Sequence, residues 1–172
     1  MLHRTITLVV SAAVVAAVAC SSSDTSEPTA PASKLVTFKA TMNAASETAP
    51  NSSTGTGTFT ATLDTATNLF TYDLTFTGLT SGVNNGHIHG PAAASVAAGT
   101  TINFNTLAGA QFSFGLTSGT GHGVSLLTAA NQITATINGD SLKKLLVASL
   151  TYANIHTTNN PGGEIRGQIV KQ

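Results

Sequence analysis

The sequence predicts an all-β protein, an antiparallel β-sandwich or Greek-key barrel with one short helix. Three observations lead there. Apolar and polar residues alternate with period two in several separate runs. Threonine is the dominant polar residue, and its β-branched side chain suits a pleated, half-exposed surface better than a helix. The prolines Pro50, Pro91 and Pro161 fall between the runs, where a missing backbone donor does no harm.

The elements follow in order. Val36, Phe38, Ala40 and Met42 share one face of a first strand. Phe59, Ala61 and Leu63 alternate with threonines in a second, and after a turn over 64–68, Phe70, Tyr72, Leu74 and Phe76 make a third. Ile102 with Phe104, and then Phe112, Phe114 and Leu116, supply two more; Ile133–Ile137 reads as a further strand. Asp140–Ala148 is the helical candidate, with Asp140 as its cap and Leu142, Leu145 and Leu146 on one face. Leu150–His156 and Glu164–Val170 close the chain as strands. Residues 78–86 and 117–123, rich in Gly, Ser and Thr, read as loops.

The amino terminus is organised differently. Arg4 precedes an uncharged apolar run from Ile6 to Ala19, too short for the roughly 20 residues that span a bilayer. This is the layout of a secretory signal over residues 1–19. Its ending, Ala17-Val18-Ala19-Cys20, resembles a bacterial lipobox, with Ala17 where leucine is usual. That resemblance implies cleavage before Cys20 and acylation of its thiol, palmitate being one such acyl group. It also implies an address in the bacterial cell envelope, anchored to a membrane and facing the periplasm or the exterior. Cys20 is the only cysteine, so no internal disulfide can form. Residues 20–33 hold no large apolar side chain and carry Pro28 and Pro31, the composition of a flexible tether. The folded domain is expected over 34–172.

Only 8% of the residues are charged, against roughly 25% in an ordinary globular chain, and the formal net charge is zero. No basic stripe suited to a phosphate backbone exists, so nucleic acid is not an expected partner. Phosphate loops, a G-x-S-x-G elbow and C-x-x-C pairs are all missing from the sequence, and its few acidic residues offer no paired carboxylates.

Two segments carry the candidate chemistry. The first is Gly86-His87-Ile88-His89-Gly90-Pro91, and the second Tyr152-Ala153-Asn154-Ile155-His156-Thr157, followed by Asn160-Pro161-Gly162-Gly163-Glu164-Ile165-Arg166-Gly167. On a strand, His87 and His89 project from one face about 6.5–7 Å apart, with Ile88 toward the core. Ala153 and Ile155 face inward in the second segment, which turns Tyr152, Asn154 and His156 outward. If the two strands are neighbours, three imidazoles can converge on one ion at about 2 Å each, a nitrogen donor set suited to copper or zinc. Asn154, Glu164 and Arg166 are the candidates for a supporting shell. The alternative is that the histidines hydrogen-bond to loop carbonyls, Asn154 or Glu164 and lock the sheet, with Arg166 paired to Glu164 or a neighbouring carboxylate. His122, between Gly121 and Gly123, reads as a loop residue, and His3 leaves with the signal.

These two blocks, in this order over roughly residues 35–172, resemble the CHRD domain first named in chordin and common in bacterial exported proteins. The resemblance implies a β-sandwich or barrel, superoxide-dismutase-like or immunoglobulin-like in kind. It carries little agreed chemistry, and chordin's cysteine-rich repeats are absent from this sequence. A looser similarity links the H-x-H pair, His156 and Arg166 to copper/zinc superoxide dismutases. The cysteines, the bridging histidine and the acidic zinc ligand of that family are lacking. The expected function is a lipid-anchored extracytoplasmic CHRD-domain binding module holding copper or zinc at His87, His89 and His156. The alternatives are a copper-dependent redox enzyme of the dismutase kind and a structural or adhesive surface protein without metal. A protein or glycan partner is not legible.

Overall fold

The computed structural model describes residues 34–107, 109–131 and 133–172. The signal over 1–19, Cys20 and the tether over 20–33 lie outside the described residues. Nine strands form one sheet: β1 (Leu35–Asn43), β2 (Thr56–Asp64), β3 (Leu69–Thr77), β4 (Val83–His89), β5 (Thr100–Asn103), β6 (Gln111–Phe112), β7 (Gly119–Leu126), β8 (Thr151–Thr157) and β9 (Ile165–Lys171). The order across the sheet is β5-β4-β8-β9-β1-β2-β3-β7-β6, and every neighbouring pair is antiparallel. One helix, α1 (Gly139–Val147), joins β7 to β8. The protein is therefore all-β with a single short helix, as the alternation and composition predict.

The sheet curls into a half-barrel because one face is apolar throughout its central strands. Phe38, Phe59, Phe70, Tyr72 and Phe104 form an aromatic cluster on that face, with ring centroids 4.9–6.5 Å apart. Each of these side chains is essentially fully buried, and burying such rings drives the curl. The Tyr72 hydroxyl donates to the Phe104 carbonyl at 2.9 Å, tying β3 to the end of β5 across the interior. Two backbone bonds bring the far ends of the sheet together: Val83 donates to Leu116 (3.1 Å) and Gly115 to Val83 (2.8 Å). The outer face carries threonine rows such as Thr37–Thr62–Thr71 and Thr41–Thr58–Thr75. This neutral polar covering explains how the fold manages with so few charges.

Helix α1 is amphipathic, with Leu142 and Leu146 buried against the sheet. Its cap is Asn138, whose side chain accepts from Ser141 N at 2.9 Å, and not Asp140. Asp140 sits in the first turn and pairs with Lys143 at 2.7 Å.

Four expectations need correction. Residues 133–137 are not a strand: Ile133 and Thr134 both donate to the Ile137 carbonyl (2.8 and 2.9 Å) in a tight turn. Ile133 and Ile137 pack on the core from that turn, which the same apolar spacing permits. Residues 117–123 are not a loop, since β7 begins at Gly119 and carries His122. A Cβ on Gly123 would lie 2.6 Å from the Tyr72 ring, so glycine there marks close packing against an aromatic side chain. The supposed loop over 78–86 likewise gives way to β4 from Val83 onward, whereas the Phe112–Leu116 strand shortens to two residues.

Candidate metal centre

Strand β4 lies beside β8, with His87 opposite Asn154, His89 opposite Tyr152 and Asn85 opposite His156. Ile88 is fully buried on the core side, so His87 and His89 emerge together on the other face. His156 reaches them from β8. One ligand atom from each of the three imidazoles lies within 4.8 Å of the others, and all three residues are partly buried. Among the described residues this is the one cluster of three or more metal-ligating side chains.

The hydrogen bonds fix how the rings are used. A carbonyl oxygen only accepts, so the ring nitrogen facing it must carry the proton. His89 Nδ1 donates to the Ala98 carbonyl (3.0 Å), and His156 Nδ1 donates to the Pro161 carbonyl (2.9 Å). Both rings therefore present an unprotonated Nε2 to the cluster. His87 Nδ1 lies 3.1 Å from His156 Nε2. His89 Nε2 is buried and has no hydrogen-bond partner. A lone pair left this way costs free energy unless something occupies it. Burial lowers the His87 imidazole to about 4, with His156 and His89 adding to the shift. Burial also lowers His89 and His156, against the opposing bonds to Ala98 and Pro161. All three are neutral at pH 7, the form that ligates metal.

A set of three imidazoles fits copper or zinc. With metal–nitrogen distances near 2.0–2.1 Å, tetrahedral ligands sit about 3.4 Å apart. His87 Nδ1 and His156 Nε2 are already 3.1 Å apart, so only the wider separations in the cluster need to close. Backbone carbonyls on two of the rings are the second-layer partners that orient ligating histidines.

Of the expected supporting residues, Arg166 reaches the rings through Tyr152, whereas Asn154 and Glu164 make no hydrogen bond to them. Tyr152 and Asn154 do not face outward into solvent; both are buried, at 4% and 2% exposure. The segment over 91–99 folds back across this face. From it Val96 accepts from Arg166 Nη2 (2.8 Å) and Ala98 accepts from His89. Arg166 does not pair with Glu164. Its guanidinium lies 3.4 Å over the Tyr152 ring, whose other neighbour is the His89 imidazole, parallel within 2°. Asn154 donates to Glu47 Oε1 (2.6 Å) and to the Ile165 carbonyl, and touches none of the imidazoles through a hydrogen bond. Glu164 also stands apart from the rings. It accepts from Ser53 Oγ (2.6 Å), Thr80 N (2.6 Å), Thr80 Oγ1 (2.8 Å), Thr157 Oγ1 and Asn160 Nδ2 (3.1 Å), stapling three loops around one carboxylate. Burial pushes its pKa up, but these donors outweigh that and hold it low.

Glu47 is the residue that sequence reasoning passes over. It is 7% exposed, and burial raises its carboxyl to about 7 against the pull of Asn154 and Arg166. Nothing local marks it, because it follows the 3-10 turn Ala44–Ser46 and meets Asn154 only through the β1–β9–β8 neighbourhood. The Ala98 and Pro161 carbonyls are equally silent in sequence, being backbone groups. His122 lies away from the cluster, bonded to Asp73 at 2.8 Å on the outer face.

These features define an all-β domain with a partly buried imidazole cluster on one sheet face. The chain belongs to the CHRD-domain family, whose model matches residues 38–169. No curated protein and no solved structure matches the chain.

Proposed function

We propose that this chain is a lipid-anchored, extracytoplasmic binding module that holds a copper or zinc ion through His87, His89 and His156. The observation that carries the metal reading is the buried His89 Nε2, which has no partner and points its lone pair among two other neutral imidazoles. His89 and His156 would bind through Nε2 with their carbonyl partners retained, and His87 through Nδ1 once the proton it now donates to His156 Nε2 has moved to its own Nε2. Bound there, the ion would supply a Lewis-acidic centre with room for one exogenous ligand. Export and acylation at Cys20 rest on the signal-like residues 1–19 and the lipobox-like junction.

Two measurements test the reading. Purified protein is equilibrated with copper or zinc, dialysed, and analysed for metal beside a His87→Ala/His156→Ala variant. One ion per chain in the parent and none in the variant supports the site; equal content in both removes it and leaves the histidines as supports of the fold. Incorporation of a labelled fatty acid, abolished by Cys20→Ser, tests the anchor.

A further inference from the structure

The register places one end of the half-barrel where the chain enters it. Leu35, Asp64, Leu69 and Leu126 form one row across β1, β2, β3 and β7. The carboxyl end of β9 arrives at the same end, since Lys171 pairs with Phe38. Helix α1 closes it from beneath: Gly139 bonds to Thr128 just past β7, and Lys143 bonds to Asn68 in the β2–β3 turn at 2.7 Å. The chain joins this end at Lys34, directly after the tether.

The chemistry of this end is unlike the rest of the surface. Of the nine large apolar side chains exposed among the described residues, four belong here: Leu35, Leu69, Leu126 and Val147. Leu35, Leu126 and Val147 are the most open of these, at 62%, 49% and 46% exposure. Lys34, Lys143, Lys144 and Lys171 stand around them. Only two acidic residues accompany them: Asp140 is paired with Lys143, and Asp64 accepts from Ala66 N (2.8 Å) within its turn. Lys34, Lys144 and Lys171 make no ion pair among the described residues. The two buried carboxyl groups, Glu47 and Glu164, lie toward the opposite end, beyond Asn43 and before Ile165. Apolar side chains ringed by lysines fit a bilayer with anionic headgroups, the leucines entering the interface and the lysines meeting phosphate. No helix among the described residues is long and apolar enough to cross a membrane, so contact would be at the surface.

We propose that this lysine-ringed leucine end is the face that rests on an anionic lipid surface, and that it holds the histidine centre away from the membrane. His87, Asn154 and Arg166 lie in one row that meets β1 at Asn43, at the far end of the strand from Leu35. That separation is about 25 Å along the strand. A tether at Lys34 raises the local concentration of the face at the bilayer, so modest contacts suffice to orient the domain. The proposal rests on the lipid anchor but not on the metal.

The test uses the acylated mature chain in phosphatidylethanolamine bilayers with or without phosphatidylglycerol. Acylation blocks Cys20, so a fluorophore can be placed at Leu126→Cys or, at the opposite end, Thr117→Cys, and its quenching by headgroup-nitroxide lipid measured. With phosphatidylglycerol, quenching at position 126 is expected to exceed that at 117 by about threefold or more. The difference should vanish without it and in a Lys34→Glu/Lys144→Glu/Lys171→Glu variant. Equal quenching at both ends, or a difference indifferent to these charges, overturns the proposal. Failure to incorporate labelled fatty acid would refute the anchor alone. Flotation of that unacylated mature chain with anionic vesicles only, lost in the charge variant, would still support the face, and flotation with neither vesicle would overturn it.

Discussion

The rings of His89 and Tyr152 lie parallel, with centroids 4.8 Å apart and planes 2° apart. Arg166 covers the other side of the Tyr152 ring, 3.4 Å from its centroid. A cation, a phenol and an imidazole thus stand in one column that β9, β8 and β4 contribute in turn. The column holds a candidate ligand ring upright without any side chain hydrogen-bonding to it.

Removing the middle of that column should be costly. Tyr152→Ala is expected to lower stability by about 3–4 kcal/mol in urea titration, through lost packing and an Arg166 left buried beside a cavity. Tyr152→Phe keeps the stack and loses only the hydroxyl contacts with Ala98 (3.2 and 3.3 Å), about 1 kcal/mol. Equal losses in the two variants would remove the stack as the source.

Glu164→Gln should destabilise the fold by about 2–4 kcal/mol, because a carboxylate that collects donors from three loops is replaced by an amide with one acceptor. Chemical denaturation at pH 7 measures this. A change below about 0.5 kcal/mol would mean that the loops are held by other contacts.

The pH dependence should be a contest between groups of opposite sign. His87 titrates near 6.5 unfolded and about 4 folded, so the unfolded state binds more protons between those values. Its contribution is therefore lost as pH falls from 6.5 toward 4. Glu47 titrates near 4.5 unfolded and about 7 folded, so its contribution is full below 4.5 and is lost as pH rises to 7. Each group acts with a slope of at most about 1.4 kcal/mol per pH unit. Glu47→Gln should unmask a steeper loss of stability on acidification between pH 7 and 4.5. An unchanged profile would show that Glu47 keeps an ordinary pKa.

Gly163→Ala should disturb both ends of the site. Gly163 has φ +128°, and a Cβ there would lie 2.7 Å from Glu47 Oε1 and 2.8 Å from Asn154 Nδ2. The expected cost is about 2 kcal/mol or more, since strain and a clash with buried groups combine. If the histidine centre binds metal, the variant should also bind it more weakly, because the Pro161 carbonyl that orients His156 lies on the same turn. Wild-type stability would show that the turn relaxes freely.

The strands with strict alternation were legible in sequence because each has one buried and one solvated face. Phe38 to Met42, Phe59 to Leu63 and Phe70 to Phe76 read directly, and the apolar residue at every second position is buried. Strand β7 was not legible, since its inward positions Gly121 and Gly123 are glycines that make room for neighbouring side chains and so imitate a loop. Tyr152 and Asn154 misled for a related reason: β8 is covered on both faces, so its alternation says nothing about which side is wet.

By itself, the sequence determined the class of fold, the presence of an H-x-H strand and of a later strand carrying a histidine, and the signal-like and tether-like start. Local periodicity and composition carry those properties, because each depends on a few consecutive residues. Only the tertiary structure decided that β4 lies against β8, that the Ala98 and Pro161 carbonyls set the imidazole protons, and that Glu47 reaches Asn154. Those contacts join residues far apart in the chain, and their partners are backbone groups or a lone carboxyl that no local pattern distinguishes.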